Sequence, residues 1–225
     1  WGGSAHNWGV FHNGLPIDSG FDNNPTVFYG EFGLPTMPNW DANLKYLPLE
    51  KLEQWPPADN DGGIMAHLNQ FGYGDMAKLM RYADYGPITS WKQYIEYGQM
   101  AQGDEIAFAA NQQRAGSYLN KGGLWFYKVT ELFPGQSWGV LDFYGQPKLA
   151  YYRAKQIYAP QAAFAHYRRY DWADGEPFKA DLYVNNDSSR PLENVVVTAV
   201  VYGSDLSEVW RQEYAVDNVE TASRK

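Results

Sequence analysis

The strongest candidate for catalytic chemistry in this sequence is the carboxylate of Glu31. Residues 26–30 (Thr-Val-Phe-Tyr-Gly) are β-branched and aromatic, which predicts a short buried strand with Glu31 directly at its carboxyl end. Barrel enzymes carry their catalytic groups at that end of their strands. A Glu in this position is usually a solvated turn residue. Here the aromatic and Gly/Pro-rich segment 29–35 would hold it rigidly and partly desolvated, which suits a nucleophile or a general base.

A competing nucleophile is Ser137, because residues 135–139 (Gly-Gln-Ser-Trp-Gly) match the nucleophile elbow of α/β-hydrolases. That elbow requires a helix immediately after the serine. The residues that follow Ser137 give no helix start before Pro147. The sequence therefore disfavours an esterase.

The sequence gives little indication of a metal-binding site. Residues 59–62 (Asp-Asn-Asp-Gly) resemble a calcium loop but lack the distant bidentate Glu, so a polar turn is favoured. The four histidines have no metal-binding spacing, and His166 is expected to face solvent on a strand. Residues 186–188 (Asn-Asp-Ser) form a glycosylation sequon, but a hairpin turn accounts for them. The histidines are His6, His12, His67 and His166.

Composition narrows the function classes further. The chain has 225 residues, a net charge of −8 and no cysteine, which excludes disulfides, thiolate metal sites and cysteine nucleophiles. The acidic balance argues against nucleic-acid partners. No apolar run reaches the roughly 18 residues of a membrane-spanning helix. We expect neither a nucleic-acid nor a membrane partner.

The elements that must position Glu31 alternate between strand and helix up to about residue 159. A Ser90-x-x-Gln93 capping box opens a long helix, which Gly98 and Gly103 could kink. Such alternation is typical of a parallel α/β architecture. The predicted elements after the strand at 26–30 are helices over Pro48–Trp55, Asp75–Tyr85 and Ser90–Leu119, a strand over Gly123–Tyr127 and a helix over Pro147–Tyr158.

From residue 160 the pattern changes to period two. Alternating residues at 178–185, a turn cluster at 186–189 and apolar runs at 195–202 and 209–216 predict strands of an immunoglobulin-like β-sandwich. About 65 residues remain, against the roughly 100 that such a sandwich needs. We therefore divide the chain into residues 1–159 and a second, incomplete domain over residues 160–225.

Several segments together resemble glycoside hydrolase family 2, most closely its β-mannosidase and exo-β-glucosaminidase branch. Residues 4–14 (Ser-Ala-His-Asn-Trp-Gly-Val-Phe-His-Asn-Gly) resemble that family's His-Tyr-Trp-Gly-Val-Trp-His-Gly-Gly segment. Residues 29–38 (Tyr-Gly-Glu-Phe-Gly-Leu-Pro-Thr-Met-Pro) are similar to its Ser-Glu-Phe-Gly nucleophile motif. Residues 55–57 and 133–148 match as well, in chain order.

The resemblance implies a fold and a reaction. The fold is the C-terminal part of a (β/α)8 TIM barrel, entered near the sixth strand, followed by a partial immunoglobulin-like sandwich. The reaction is that of a retaining exo-β-glycosidase without cofactor or metal. Glu31 matches the nucleophile, while the acid/base Glu would lie upstream of Trp1. His6 and Trp8 match a substrate-side segment. Trp8 and Trp138 both lie in Gly-flanked loops inside matching motifs, and we expect both to bind substrate as sugar platforms.

The chain departs from the family pattern at two places. Asn7 stands where Tyr is common. Residues 127–131 (Tyr-Lys-Val-Thr-Glu) align with Trp-Gln-Leu-Asn-Asp, so the Asn-Asp pair is gone and the sugar that would fit is open. Tyr127 can still form an aromatic platform beneath a sugar. Because neighbours on a strand face opposite ways, Lys128 is expected to point toward the surrounding helices.

These implications carry expectations about partners. The substrate would be an oligosaccharide or glycoside, and the barrel would be completed by the N-terminal remainder of the polypeptide or by another copy of the chain. The 225 residues alone are expected to be inactive. A secreted or periplasmic location is favoured for a polysaccharide-degrading enzyme. The alternative from another class is a non-catalytic carbohydrate-binding or scaffold module, in which Glu31 is structural.

Overall fold

The computed structural model describes residues 3–21, 25–58, 61–68 and 84–225, which form a mixed arrangement of helices and sheets. Almost all of the helix predicted over residues 75–85 lies outside these residues. So do the first two residues of the polar turn predicted at 59–62.

A three-stranded parallel sheet forms the centre of the first part of the chain. It consists of β1 (Ser4–Asn7), β2 (Phe28–Phe32) and β3 (Gly123–Leu124) in that order. The prediction of a parallel α/β arrangement is thus confirmed, with shifted bounds. Glu31 lies inside β2 rather than after it, and β3 pairs over two residues only.

Six described helices accompany the sheet. The helix predicted over residues 48–55 is a single turn, in part because a residue before proline, here Trp55, is disfavoured in the helical region. No helix among the described residues is long and apolar enough to cross a membrane. The helices are α1 (Gly9–Asn13), α2 (Trp40–Asn43), α3 (Leu49–Leu52), α4 (Gly62–His67), α5 (Trp91–Ala115) and α6 (Leu149–Ile157).

Helix α5 is the longest element, and its predicted start is confirmed. The Ser90 hydroxyl oxygen accepts a hydrogen bond from the Gln93 backbone N–H at 3.3 Å, as a capping box requires. The helix ends at Ala115, four residues early, and it is continuous across Gly103. A Cβ at Gly103 would lie 3.1 Å from Arg153 Cγ on α6. This glycine therefore permits close packing of α5 against α6 rather than a kink.

The second part of the chain is all β. Strands β4 (Gln161–His166), β5 (Asp181–Asn186) and β8 (Ser223–Arg224) form one antiparallel sheet. Strands β6 (Leu192–Tyr202) and β7 (Glu208–Val219) form a separate hairpin. The predicted turn after β5 is present, and it is held by the fully buried Asn186, whose side chain accepts from the Ser188 backbone N–H at 3.1 Å.

The C-terminal half of α5 joins the two parts, which corrects the expectation for His166. This side chain is only 20% exposed, and its Nε2 lies 2.7 Å from Gln112 Oε1 on α5. Gln112 Nε2 also donates to the Tyr167 carbonyl at 2.7 Å, and Arg114 Nη2 pairs with Asp187 Oδ2 at 3.0 Å. The strand packs on the helix, so His166 cannot face solvent.

Helix α5 also carries a fully buried carboxyl group, that of Glu105. Within the part of the chain that the structure describes, neither of its oxygens has a hydrogen-bond partner. Burial raises the pKa of Glu105 from 4.5 to about 8. The folded protein therefore holds this proton over a pH range in which the unfolded chain has lost it. Between these two pKa values the free energy of unfolding falls as pH rises, by at most about 1.4 kcal/mol per pH unit.

Glu105→Gln should remove this pH dependence. We expect the variant to gain more thermal stability over the wild type at pH 8 than at pH 5. At the higher pH the unfolded wild type has an ionised Glu105, which must be protonated or buried as a charge on folding, whereas glutamine is neutral in both states. Thermal unfolding at both pH values measures the gain. Glu96→Gln, at an exposed position of the same helix, is the matched control. An equal gain at both pH values would contradict a buried, titrating Glu105.

Candidate active site

The candidate catalytic carboxylate lies beside a histidine on the neighbouring strand. His6 is opposite Glu31 in the parallel register of β1 and β2, and His6 Nδ1 lies 3.3 Å from Glu31 Oε2. The register shifts at His6, and a Cβ at Gly30 would come within 3.3 Å of the imidazole. The absence of a side chain at Gly30 thus makes room for the ring. The Glu31 side chain remains 41% exposed, so a ligand can reach it.

Three predicted site residues form an aromatic cluster, which we define as Trp8, Tyr127 and Trp138. Their ring centroids lie 5.8–6.2 Å apart in edge-to-face contacts, a favourable geometry for aromatic pairs. Tyr127 is 40% exposed and Trp8 is half-buried, whereas Trp138 is only 8% exposed. Tyr127 and Trp8 therefore offer ring surface to a ligand, and Trp138 supports them from within the protein.

The segments after β2 and β3 run side by side, which brings the Glu31 strand next to Tyr127. The Tyr127 backbone N–H donates to the Phe32 carbonyl at 2.8 Å. Gly33 has φ +148°, and a Cβ there would lie 2.6 Å from the Tyr127 carbonyl oxygen. Only glycine permits so close an approach in this conformation.

Further along, the same two segments are joined by a bridge between Thr36 and Ser137. Each residue donates its backbone N–H to the other's carbonyl, at 2.8 and 3.1 Å. The buried Gln102 on α5 donates to the carbonyls of Leu34 and Trp138, at 2.9 and 2.8 Å, and accepts from the Thr36 hydroxyl. Sequence reasoning missed Gln102. The sequence signal that could have found it is its position on the helix: the preceding residue, Ala101, and the residue one turn later, Ile106, are both core residues.

A buried ion pair lies on the other side of this bridge. Lys148 Nζ is fully buried and donates to the carbonyls of Thr36 and Ser137, at 2.9 and 3.1 Å, and to Glu131 Oε1 at 3.2 Å. Burial lowers the pKa of Lys148, and the neighbouring Glu131 carboxylate partly offsets this. Glu131 thus supplies a carboxylate where the family pattern has Asp.

The structure corrects the expectation for Lys128. The residue lies outside the strands, so strand alternation does not apply to it. Its ammonium is 5.5 Å from the Tyr127 ring centroid and 3.3 Å from Glu131 Oε2. Lys128 thus lies on the same side as Tyr127, with Glu131 as its ion-pair partner.

Asn7, the other departure from the family pattern, has a structural role. Its Nδ2 donates to the Ser19 carbonyl at 2.9 Å, and its Oδ1 accepts from the Gly9 backbone N–H at 3.3 Å. The side chain therefore holds the loop that connects β1 to β2. It occupies the position between His6 and Trp8 without making a contact to Glu31 in the described hydrogen bonds.

The alternative sites, a serine nucleophile elbow and a histidine metal site, are not formed by the described residues. Ser137 is buried in the bridge to Thr36, and the next helix begins only at Leu149, so the arrangement of a nucleophile elbow is missing. His67 Nδ1 lies 2.6 Å from the Pro134 carbonyl, and His12 packs against Trp8. Within residues 3–21, 25–58, 61–68 and 84–225, no cluster of three metal-binding side chains occurs.

Gly33→Ala should destabilise the protein and disturb the aromatic cluster. The new Cβ would collide with the Tyr127 carbonyl in a strained backbone conformation, at a cost of about 1–3 kcal/mol or more. Denaturant unfolding and near-UV circular dichroism measure the two effects. The matched control is Gly62→Ala, where a Cβ meets nothing within 4 Å. Equal stability of the two variants would refute the close approach of the two segments.

The sequence is similar to those of named enzymes. The chain is 24% identical over 206 residues to β-mannosidase B of Aspergillus niger, matching 86% of this chain and 23% of that enzyme. It is 26% identical over 167 residues to β-mannosidase B of Thermothelomyces thermophilus, matching 70% and 19%. No protein-family model matches the sequence. The chain spans about a quarter of the length of these relatives.

Solved structures share the fold. The β-D-mannosidase of Dictyoglomus thermophilum superposes with a TM-score of 0.71 at 18% identity, covering 98% of this chain and 26% of that chain. The exo-chitosanase of Amycolatopsis orientalis gives a TM-score of 0.71 at 16% identity, covering 99% and 26%. Together with the motifs, these comparisons confirm the resemblance of this chain to the β-mannosidase and exo-β-glucosaminidase branch of glycoside hydrolase family 2.

Proposed function

We propose that this chain carries the nucleophile side of a retaining exo-β-glycosidase site. One observation carries the proposal. Glu31 is the second-last residue of the parallel strand β2, partly exposed, beside His6 and next to the segment that bears Tyr127. Parallel barrel enzymes build their sites at the carboxyl ends of their strands. Relatives named β-mannosidase B match most of this chain, which favours hydrolysis of a glycosidic bond as the reaction.

In this proposal Glu31 attacks the anomeric carbon of a terminal β-linked sugar. The bond from that carbon to the leaving oxygen breaks, and an acid donates a proton to this oxygen. Water then attacks the anomeric carbon and loses a proton to the same group. The bond between that carbon and the Glu31 oxygen breaks, which releases the sugar and regenerates the Glu31 carboxylate. The two carboxyls in such sites lie about 5 Å apart. The His6 ring at 3.3 Å can donate to Glu31 and orient it for attack.

The acid/base group comes from outside the described residues. Near the candidate site, Glu131 is fully buried and paired with Lys148, and Asp142 is buried and accepts from two backbone N–H groups. Neither side chain can reach a bound glycoside. We propose that another segment of a longer polypeptide supplies the second carboxyl. The general acid of such a reaction is typically worth 10²–10⁴-fold in rate.

The same reasoning extends to the fold. We propose that β1 to β3 with their helices are the last strands of a (β/α)8 barrel and that β4 to β8 belong to an immunoglobulin-like sandwich. The boundary lies near residue 160, between α6 and β4. The parallel order of β1, β2 and β3 supports this assignment. The rest of the polypeptide, or a second copy, would close the barrel.

A terminal sugar such as mannose or glucosamine is the proposed substrate class. Tyr127 and Trp8 would stack against the apolar face of the ring, since both expose aromatic surface beside the Glu31 strand. Because relatives are named β-mannosidase and one structural neighbour is named exo-β-D-glucosaminidase, β-mannosides and β-glucosaminides are the first substrates to assay.

Glu31→Ala in the full polypeptide should lower turnover of aryl β-glycosides by several orders of magnitude. The loss follows because no covalent intermediate can form, and azide should restore part of the rate by attacking the anomeric carbon directly. A 2-deoxy-2-fluoro glycoside should label the peptide that contains Glu31. Glu53→Ala, at an exposed position, is the control. Near-native activity of Glu31→Ala would refute the assignment. Sugar binding without turnover by the wild type would point to a carbohydrate-binding module.

Tyr127→Ala should raise KM for the preferred aryl glycoside by about 10-fold or more, because a stacked aromatic ring contributes binding surface. Steady-state kinetics measure the change. Tyr152→Ala, which removes an exposed ring on α6, serves as the matched control and should leave KM unaltered. The same KM in wild type and Tyr127→Ala would remove Tyr127 from the substrate subsite.

A further inference from the structure

We propose that the buried pair of Lys148 and Glu131 positions the aromatic subsite relative to Glu31. The inference rests on the proposed function for its catalytic consequence. Neither side chain touches the exposed surface at which a sugar would bind, since both are fully buried. Both are therefore positioning residues, which act through the backbone of the segments that they join.

The three donors of the Lys148 ammonium reach three different segments. A lysine ammonium has three N–H groups, and here each has one acceptor: the Thr36 carbonyl, the Ser137 carbonyl and Glu131 Oε1. Thr36 follows β2, which carries Glu31. Ser137 directly precedes Trp138, and Glu131 follows Tyr127 by four residues. One buried cation thus joins the segment that follows the Glu31 strand to the segments that carry Tyr127 and Trp138.

Glu131 completes the hold on Trp138 from the other side. Its Oε1 accepts from the Gly139 backbone N–H at 2.5 Å, while Lys148 binds the Ser137 carbonyl at 3.1 Å. The backbone is therefore fixed immediately before and immediately after Trp138. The Glu131 side chain packs closely against Gly139, because a Cβ there would lie 2.7 Å from Glu131 Cδ.

A net gain in stability is not the expected effect of such a pair. Removing two charges from water costs several kcal/mol per ion, and buried pairs can often be replaced by apolar residues of similar volume without loss. Removing only one partner, by contrast, leaves an uncompensated buried charge. The pair fixes the relative placement of three chain segments through the contacts of the Lys148 ammonium. Catalysis is sensitive to such placement, since a 1 Å error costs about 10²-fold.

The test is the double variant Lys148→Met with Glu131→Gln in the full polypeptide. We expect folding with a similar unfolding midpoint, kcat/KM for the preferred aryl glycoside lowered by about 10- to 100-fold with KM raised, and an altered near-UV circular dichroism spectrum of the aromatic cluster. The matched control is Arg211→Met with Glu208→Gln, which removes an ion pair on the exposed β6–β7 hairpin. It should leave kinetics and spectrum unchanged.

A double variant that folds with wild-type kinetics and an unchanged spectrum would overturn the proposal. If the double variant does not fold, Glu131→Gln alone keeps the test decisive, because glutamine retains the size and can still accept from Gly139. Burial already lowers the pKa of Lys148 to about 8, so this lysine can lose its charge when Glu131 is replaced, and the variant is measured at pH 8. We then expect a smaller rise in KM together with the spectral change, and the absence of both would overturn the proposal. The spectrum is read without substrate. A wild type that lacks glycosidase activity would therefore refute the proposed function while leaving the positioning role testable.

Discussion

The backbone bridge between Thr36 and Ser137 is the interaction on which the rest of the candidate site depends. It joins two segments that are a hundred residues apart in sequence and that leave the sheet at the same edge. Buried backbone polar groups must be paired, because an unpaired one costs free energy comparable to a lost hydrogen bond. The bridge satisfies one N–H and one carbonyl of each residue, and Lys148 gives both carbonyls a second donor. Without the bridge itself the two segments could not be buried side by side.

Helix α5 faces the bridge with buried polar side chains in place of an entirely apolar face. Gln99 and Gln102 are both buried and point their amides at the backbone of the segment after β2, and Tyr94 donates to the buried Gln136 at 2.7 Å. Three helical positions that could have held leucine thus hold hydrogen-bonding groups. The amides of Gln99 and Gln102 have partners at both the nitrogen and the oxygen. Buried polar groups that are satisfied in this way rigidify one arrangement of the chain. Rigidity is what a site needs when its nucleophile and its binding surface come from separate segments.

The residues that depart from the family pattern each make specific contacts in the structure. Glu131, one methylene longer than the Asp of the pattern, still reaches Lys148 and Gly139. Lys128 brings a cation to within 5.5 Å of the Tyr127 ring centroid, which adds a charge at the rim of the aromatic cluster. Asn7 is used to hold the loop before β2. These differences alter the surroundings of the subsite and leave the backbone framework of the two segments intact.

The amino-acid sequence by itself determined the elements whose signals are local. The capping box at Ser90, the parallel strand–helix alternation and the strand that bears Glu31 follow from residue types at short spacing, and the motifs singled out His6, Trp8, Tyr127 and Trp138. The tertiary structure decided what depends on distant contacts. It placed Glu31 within β2, buried Lys148 and Gln102, turned Lys128 toward Tyr127 and packed His166 on α5. Polar residues look solvent-exposed to local patterns. Their burial becomes favourable only when segments a hundred residues apart meet and leave carbonyl groups that need donors.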